Sequence, residues 1–270
     1  KKGKLLLMHR WETVEACQSW RARIASTNES VGFVATMGAL HPGHAALIEA
    51  AKAESDRVVV SIFVNPTQFN DASDFEKYPN TLAEDLELCR ELGVDGVLRP
   101  HRAALYADEY RFRVTEDQVS TAYEGEHRPG HFDGVLTVVL KLLQIVAPQR
   151  AYFGEKDWQQ LSLIRDMVEA FYMPMKIVPV PTVRETDGLA LSSRNRRLSQ
   201  AGREQARAFP QILTQAESPE AAVAELAAAG FQVDYVAESD GRRLGAVFVE
   251  GVRLIDNWDL SEIRQPAPML

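Results

Sequence analysis

Cysteine is nearly missing from this chain: two in 270 residues, Cys17 and Cys89, far apart and outside any C-x-x-C pair. That spacing argues against a disulfide framework and against a thiolate zinc site. Basic runs are missing as well. Thirty Lys and Arg stand against 38 Asp and Glu, a net charge of −8, and no stretch gathers a cationic stripe. Nucleic acid is disfavoured as the main partner, while a local cationic pocket for one small anion stays open. The longest apolar runs, 58–64 and 134–146, fall short of the roughly 20 residues that a membrane helix needs. There is no internal repeat, no low-complexity linker and no charged-then-apolar leader ending in a small-residue cleavage site. The chain begins at Lys1 rather than Met, which points to a trimmed or processed start. The expectation is a soluble cytoplasmic protein.

What is present is enough apolar sequence, 46% of all positions, to bury a core as one large domain or as a larger and a smaller one. "VGFVATMG" (31–38) is a β-branched apolar run ending at Gly38. Helical spacing of Ala46, Leu47, Ala50, Ala51 and Ala53 follows over 43–54, and then a second strand, "RVVVSIFVNP" (57–66). The strands are continuously apolar rather than alternating, the mark of a parallel sheet covered on both faces. The alternation continues through a helix over 81–92, a strand over 93–98, an apolar helix over 134–146, a strand over 151–154, a helix over 157–171 and a strand over 176–183. This pattern predicts a doubly wound α/β domain over residues 1–184. After about residue 184 the texture changes. A polar, turn-rich stretch (186–199) precedes helical segments at 200–216 and 219–229, and strand-like segments at 231–239 and 245–257. Residues 185–270 therefore read as a smaller α+β domain, with 264–270 as a loose tail.

Five stretches could carry chemistry. In "MGALHPGH" (37–44) a strand ends, a turn holds His41, Pro42, Gly43 and His44, and a helix begins. An α/β fold binds phosphate at such a place, through backbone N–H groups and the helix dipole. The imidazoles add donors, and Gly43 lets a ligand approach the backbone. Two histidines capping a loop are the plainer alternative; a metal pair is weaker, because no third ligand stands at metal spacing. "FVNPTQF" (63–69) follows a strand end and offers the amides of Asn65 and Gln68, though alone it reads equally as an Asn-Pro turn. "YFGEKDWQQL" (152–161) offers Lys156 as a compact cation, Asp157 as a helix cap and Gln160 one turn into the helix; a capping turn with a solvated lysine stays open. "LSSRN" (191–195) supplies hydroxyls, a guanidinium and an amide that suit a polyphosphate, and by itself could be a polar interdomain linker. "EGEHRPGHFDGV" (124–135), with Arg128 and His131, reads as a Gly-rich surface loop over the site, a catalytic His131 being the bolder alternative.

"TMGALHPGH", "FVNPTQF", "RPGHFDGVLTVV", "AYFGEKDWQQL" and "DGLALSSRN" occur in this order over residues 36–195. Together they resemble the signature series of the pantothenate synthetase (pantoate–β-alanine ligase) family. The likeness extends to "VRLIDN" near the C-terminus, so it covers nearly the whole chain. The resemblance implies a Rossmann-like nucleotidyltransferase domain of the HIGH-motif class, here written HPGH, followed by a smaller lid-like domain. It implies a two-step reaction: ATP, Mg²⁺ and (R)-pantoate give pantoyl adenylate and pyrophosphate, and β-alanine then displaces AMP. Carried onto matching positions, Met37, Gly38, Ala39, Leu40, His41, Pro42, Gly43 and His44 hold ATP, with His44 as proton donor. Gly154, Glu155, Lys156 and Asp157 also contact the nucleotide. Val183, Leu191, Ser192, Ser193 and Arg194 complete that site, the SSR run standing where tRNA ligases carry KMSKS. Gln68 and Gln160 take pantoate, Gln68 also lying near β-alanine. The amide of Asn65 joins the substrate set from the residue reading alone. A homodimer through the larger domain is implied as well.

The residue types suit that chemistry. Imidazoles, Lys156, Arg194 and Mg²⁺ can meet charge developing on phosphoryl oxygens, and no enzyme nucleophile is required. Closure of the C-terminal domain about the polar stretch 184–190 would keep water from an acyl adenylate. No dedicated protein metal site is expected; Asp85 is a weak candidate for Mg²⁺, with ATP phosphates and water preferred. The chain departs from the family pattern in three places: Leu105-Tyr106-Ala107 replaces a frequent Met-Tyr-Pro, Arg197 a frequent aromatic, and Leu191 a Met. None is expected to touch a ligand contact except Leu191, a swap of similar volume. The rivals are an adenylyltransferase or truncated tRNA ligase, and a non-enzymatic nucleotide-binding module.

Overall fold

The computed structural model describes residues 8–70 and 75–263; the expected loose tail at 264–270 and the start at Lys1 lie outside them. The chain divides into two compact units. One takes residues up to Glu155 together with Gln159–Val180, and the other takes Lys156–Trp158 together with residues from Pro181 onward.

The first unit is built on six parallel strands: β1 His9–Trp11, β2 Val31–Thr36, β3 Arg57–Ile62, β4 Gly96–Leu98, β5 Arg150–Gly154 and β6 Lys176–Val180, in the order β1-β4-β3-β2-β5-β6. β2 and β3 are buried along almost their whole length, as continuous apolar runs in a doubly covered sheet must be. The helix His131–Val146 is buried on nearly every face, including Phe132, Leu136, Leu143 and Val146. A helix apolar all round belongs inside. Pro42–Glu54 lays Leu47, Ile48 and Ala51 on the cluster formed by Val34, Val58, Val60 and Tyr152.

Strand order reverses between β2 and β5. β2 leads through β3 to β4 on one side, whereas β5 leads to β6 on the other. The pairing Gly32↔Arg150, Phe33↔Ala151 and Val34↔Tyr152 brings both strands out at the same edge. Parallel α/β sheets bind ligands at such a switch point, outside the carboxyl ends of the strands. Both "MGALHPGH" and "GEKDW" begin there.

β1 and the helix Val14–Ala25 carry little sequence signal. The strand has three residues, and the helix buries only Cys17 and Trp20. Its one cue is Thr13, whose Oγ1 accepts the Ala16 N–H at 3.3 Å as an N-cap.

The second unit carries an antiparallel meander, β7 Gln232–Ser239, β8 Arg242–Val249 and β9 Val252–Asp259. Its hairpins turn on Asp240-Gly241 and Glu250-Gly251, all four with positive φ, as two-residue turns between right-twisted strands require. Phe209, Leu213, Leu226, Phe231, Val247 and Leu254 form its core. The stretch 200–216, expected as one helix, is two: Gln200–Ala206 and Ala208–Gln215. Pro210 explains the break, since it cannot donate to the carbonyl of Ala206 and its ring crowds that oxygen.

Candidate active site

The turn after β2 is built by its own side chains. Thr36 Oγ1 donates to the Ser61 carbonyl (2.7 Å) and accepts the Gly38 N–H (3.2 Å). Gly38 and Ala39 are left-handed, with φ of +81° and +51°. Asp85, 3% exposed in the first turn of the helix Leu82–Glu91, accepts the next two N–H groups: Ala39 at Oδ2 (3.0 Å) and Leu40 at Oδ1 (2.8 Å). The carboxylate considered for Mg²⁺ is therefore engaged on backbone donors.

His41 then caps the helix Pro42–Glu54 from extended backbone, φ −143°. Its Nδ1 accepts the Gly43 N–H at 3.1 Å, and His44 Nδ1 accepts the His41 N–H at 3.3 Å. The N–H groups of His44 and Ala45 both turn back to the His41 carbonyl. The sequence aimed these opening N–H groups at an anion; the structure commits them inside the motif. The helix dipole still favours an anion at this end. Because each Nδ1 accepts a backbone N–H, each neutral ring carries its hydrogen on Nε2. Both histidines are hydrogen-bond donors without being charged, and their ring centroids lie only 4.1 Å apart. Gly43 leaves room for this arrangement. A Cβ there would stand 2.8 Å from Cε1 and 2.9 Å from Nδ1 of His41.

The turn after β3 works differently from expectation. Asn65 is 1% exposed, and its side chain is spent on its neighbours. Nδ2 donates to Gln68 Oε1 (3.0 Å) and to the Gly134 carbonyl (3.1 Å), while Oδ1 accepts from Thr67 Oγ1 (3.0 Å) and Tyr106 Oη (2.8 Å). Asn65 thus orients the half-buried Gln68 instead of reaching a substrate itself. With Oε1 held, the Gln68 amide offers its NH₂ side as the donor. Tyr106 belongs to this network, so the segment around it touches the site after all. Burial above all pushes its phenol up to about 12, which keeps the hydroxyl protonated as a donor. Gly134 lets the turn sit against the helix His131–Val146: a Cβ would collide with the Thr67 carbonyl oxygen and stand 2.8 Å from Gln68 N. His131 is buried in the first turn of that helix with Nδ1 2.8 Å from the Gln68 carbonyl oxygen. Sequence reasoning missed Tyr106 and Gly134. A tyrosine in a polar segment carries no local signal, but a glycine inside so apolar a helix does.

Gly154 ends β5, and Glu155–Asp157 form a single 3₁₀ turn before the helix Trp158–Ala170. Gln160 lies half-buried in that helix, while its neighbour Gln159 is buried and pins the carbonyls of Val119 (2.7 Å) and Ala122 (2.8 Å).

In the second unit, Asn257 Nδ2 donates to the Lys156 carbonyl at 2.8 Å, and the Arg242 guanidinium lies 4.0 Å from the centre of the Trp158 ring. Lys156 Nζ lies 3.9 Å from the Asp157 carboxylate. The polar stretch that leads into "LSSRN" is an ordered hairpin. Arg184 bridges to Ala190, Leu191 N donates to the Val183 carbonyl (2.9 Å), and Glu185 N donates to that of Leu189 (2.8 Å). Ser192 Oγ caps the 3₁₀ turn Ser193–Arg197 by accepting the Arg194 N–H at 3.2 Å. Asn195 ties the turn to Glu185 and to the Ala190 carbonyl.

Burial pushes both thiols, Cys17 and Cys89, up to about 12, so neither can act as a nucleophile near neutral pH. Among the described residues, no three His, Cys, Asp or Glu side chains are grouped to hold a metal ion, and no helix is long and apolar enough to cross a membrane.

A family model described as pantoate-beta-alanine ligase matches residues 9–259 of the chain. The pantothenate synthetase of Bdellovibrio bacteriovorus is 53% identical over 89% of this chain and 94% of its own length. That of Legionella pneumophila is 50% identical over 86% and 92%. Among solved structures, the Francisella tularensis pantoate-beta-alanine ligase, complexed with beta-gamma ATP and beta-alanine, superposes with a TM-score of 0.89 at 40% identity, over 94% of this chain and 98% of that one. The Thermus thermophilus pantothenate synthetase superposes with a TM-score of 0.86 at 40% identity, over 94% and 99%.

Proposed function

The chain belongs to the pantoate–β-alanine ligase family, and on that premise we propose that it makes pantothenate through a pantoyl-adenylate intermediate. A pantoate carboxylate oxygen attacks the α-phosphorus of ATP, the bond from that phosphorus to the bridging oxygen breaks, and pyrophosphate leaves with the electron pair. The β-alanine amine then attacks the acyl carbon, the bond to AMP breaks, and the amine proton passes to solvent. Adenylation is needed because a free carboxylate is a poor acyl donor.

The observation that carries this reading is the paired cap of His41 and His44 after β2. It fixes two neutral Nε2–H donors, which suit phosphoryl oxygens whose charge grows in the transition state. In that state His44 donates a hydrogen bond rather than the proton itself, because surrendering Nε2–H from a neutral ring would leave an imidazolate. Lys156 and Arg194 supply positive charge to the same nucleotide, and the hydroxyls of Ser192 and Ser193 stand beside Arg194. Met37, Gly38, Pro42, Gly43, Gly154, Glu155, Asp157, Val183 and Leu191 contribute the rest of the ATP contacts. Ala39 and Leu40, whose N–H groups are engaged by Asp85, would meet ATP by other atoms. Gln68 and Gln160 bind pantoate through their amides, and Asn65 acts through Gln68. Mg²⁺ enters as the MgATP substrate, held mainly by ATP phosphates and water. The family resemblance further supports a homodimeric cytoplasmic enzyme, its mass in solution measurable by light scattering.

Incubation with MgATP, pantoate and β-alanine should yield AMP and pantothenate in equal amounts. ADP as the nucleotide product, or turnover without pantoate, would overturn the proposal. Two substitutions read the site's halves separately. Gly43→Ala forces the His41 ring from its cap and should lower kcat about tenfold or more, the cost of one misplaced donor. Gly134→Ala pushes on the Thr67–Gln68 backbone and should raise KM for pantoate several-fold while leaving the ATP affinity near the parent value, as steady-state kinetics and calorimetry would record.

A further inference from the structure

We propose that Asp85 is a positioning residue for the adenylation step, clamping the backbone turn that aims His41 and His44. The inference rests on the ligase reading above for its kinetic arm only. Ala39 is the revealing residue. It holds φ +51° without being glycine, a conformation that disfavours any Cβ-bearing residue and persists only where surroundings impose it. The Asp85 carboxylate is what imposes it. Its two oxygens take the consecutive N–H groups of Ala39 and Leu40, and Thr81 Oγ1 donates to Oδ1 at 3.2 Å to orient the group.

The preceding residue is fitted to the same carboxylate. A Cβ on Gly38 would stand 2.9 Å from Asp85 Oδ2. The clamp comes from a fixed element. Leu82, Leu86 and Leu88 pack, as the helix Leu82–Glu91 buries Cys89, against the cluster that also holds Leu40, Leu47 and Ile48. A carboxylate in the first turn of a helix is favoured there by the dipole. Residue 41 follows directly on the clamped pair and opens the cap. A shift at Ala39 or Leu40 therefore passes straight to the imidazoles, and a displacement of about 1 Å at a catalytic donor can cost on the order of a hundredfold in rate.

Asp85→Asn keeps the shape but sets an amide NH₂ against one of two backbone N–H donors. In the substrate-free protein, nitrogen-15 spectra should show both wild-type histidines with hydrogen on Nε2, and protected amides at Ala39 and Leu40. The variant should lose that protection and shift the His41 and His44 side-chain signals. Its kcat for pyrophosphate release should fall about tenfold to a hundredfold, the scale of a buried donor left unmet, with KM for pantoate within twofold. Thr81→Val, which only loosens the carboxylate, should act in the same direction by a few-fold and serves if Asp85→Asn does not fold. Unchanged histidine signals, or equal losses in kcat and pantoate affinity tracking a lowered melting temperature, would overturn the proposal and leave a merely structural Asp85. Should the wild type release no pyrophosphate with pantoate, the ligase reading fails, and the spectra still decide the clamp.

Discussion

His44→Ala should lower pantoate-dependent pyrophosphate release by about 10²–10³-fold while weakening ATP binding only a few-fold, because the lost donor faces charge that appears in the transition state. The expectation follows from the cap. His44 Nδ1 accepts the His41 N–H, so the neutral ring carries its hydrogen on Nε2. A contact made equally to bound ATP and to the transition state would lower both quantities together. Single-turnover kinetics set beside an ATP titration by calorimetry separate the cases. Losses of the same size in both would make His44 a binding residue, and the assignment of the cap to catalysis would fall.

The largest effect on stability is expected from Arg184→Ala. Arg184 grips Asp256 with both nitrogens, Nη1 to Oδ2 at 2.7 Å and Nη2 to Oδ1 at 2.9 Å. The Asp256 side chain is fully buried and that of Arg184 is 17% exposed. The guanidinium also donates to the carbonyls of Gly188 (3.0 Å) and Asn257 (3.1 Å) and lies 3.7 Å from the centre of the Trp258 ring. Removing it strands a buried carboxylate, which costs about 3–5 kcal/mol. The loss should appear as faster amide exchange in β8 and β9 and in the 184–190 hairpin. Function should suffer with it, since Asn257, next to Asp256, holds the Lys156 carbonyl. Arg184→Ala combined with Asp256→Asn should recover part of the stability, because the stranded group is then neutral. A single variant within about 0.5 kcal/mol of the parent, the range of ordinary surface changes, would contradict this account of the pair.

Much of the first unit was legible because its strands are continuous apolar runs that alternate with stretches of helical spacing. The parallel sheet and the helix after Gly38 both follow from that pattern. β1 was not legible, being three residues long and dependent on Trp11 packing against Trp20, 5.0 Å between ring centres. The site divides in the same manner. Residue types pointed to His41, His44 and Gln68, since imidazoles and amides at strand ends are themselves chemical signals. They could not tell a ligand contact from a support. Asn65 looked like a substrate amide until burial showed that its bonds go to Gln68, Thr67 and Tyr106. Asp85 stands 46 residues from Ala39, and Tyr106 41 residues from Asn65, so only the folded chain brings them together. The helix N-terminus held a detail the sequence did not show: unpaired N–H groups are the rule there, and here the motif's own imidazoles and the His41 carbonyl meet them.

Activation of the carboxylate by adenylation is tested most directly with pantoate labelled with oxygen-18 in its carboxylate. Turned over with MgATP and β-alanine, it should pass one labelled oxygen to each AMP and none to pyrophosphate, as mass spectrometry of the products would show. Unlabelled AMP, with the label in phosphate or pyrophosphate, would contradict the adenylate and with it the roles given to His41 and His44.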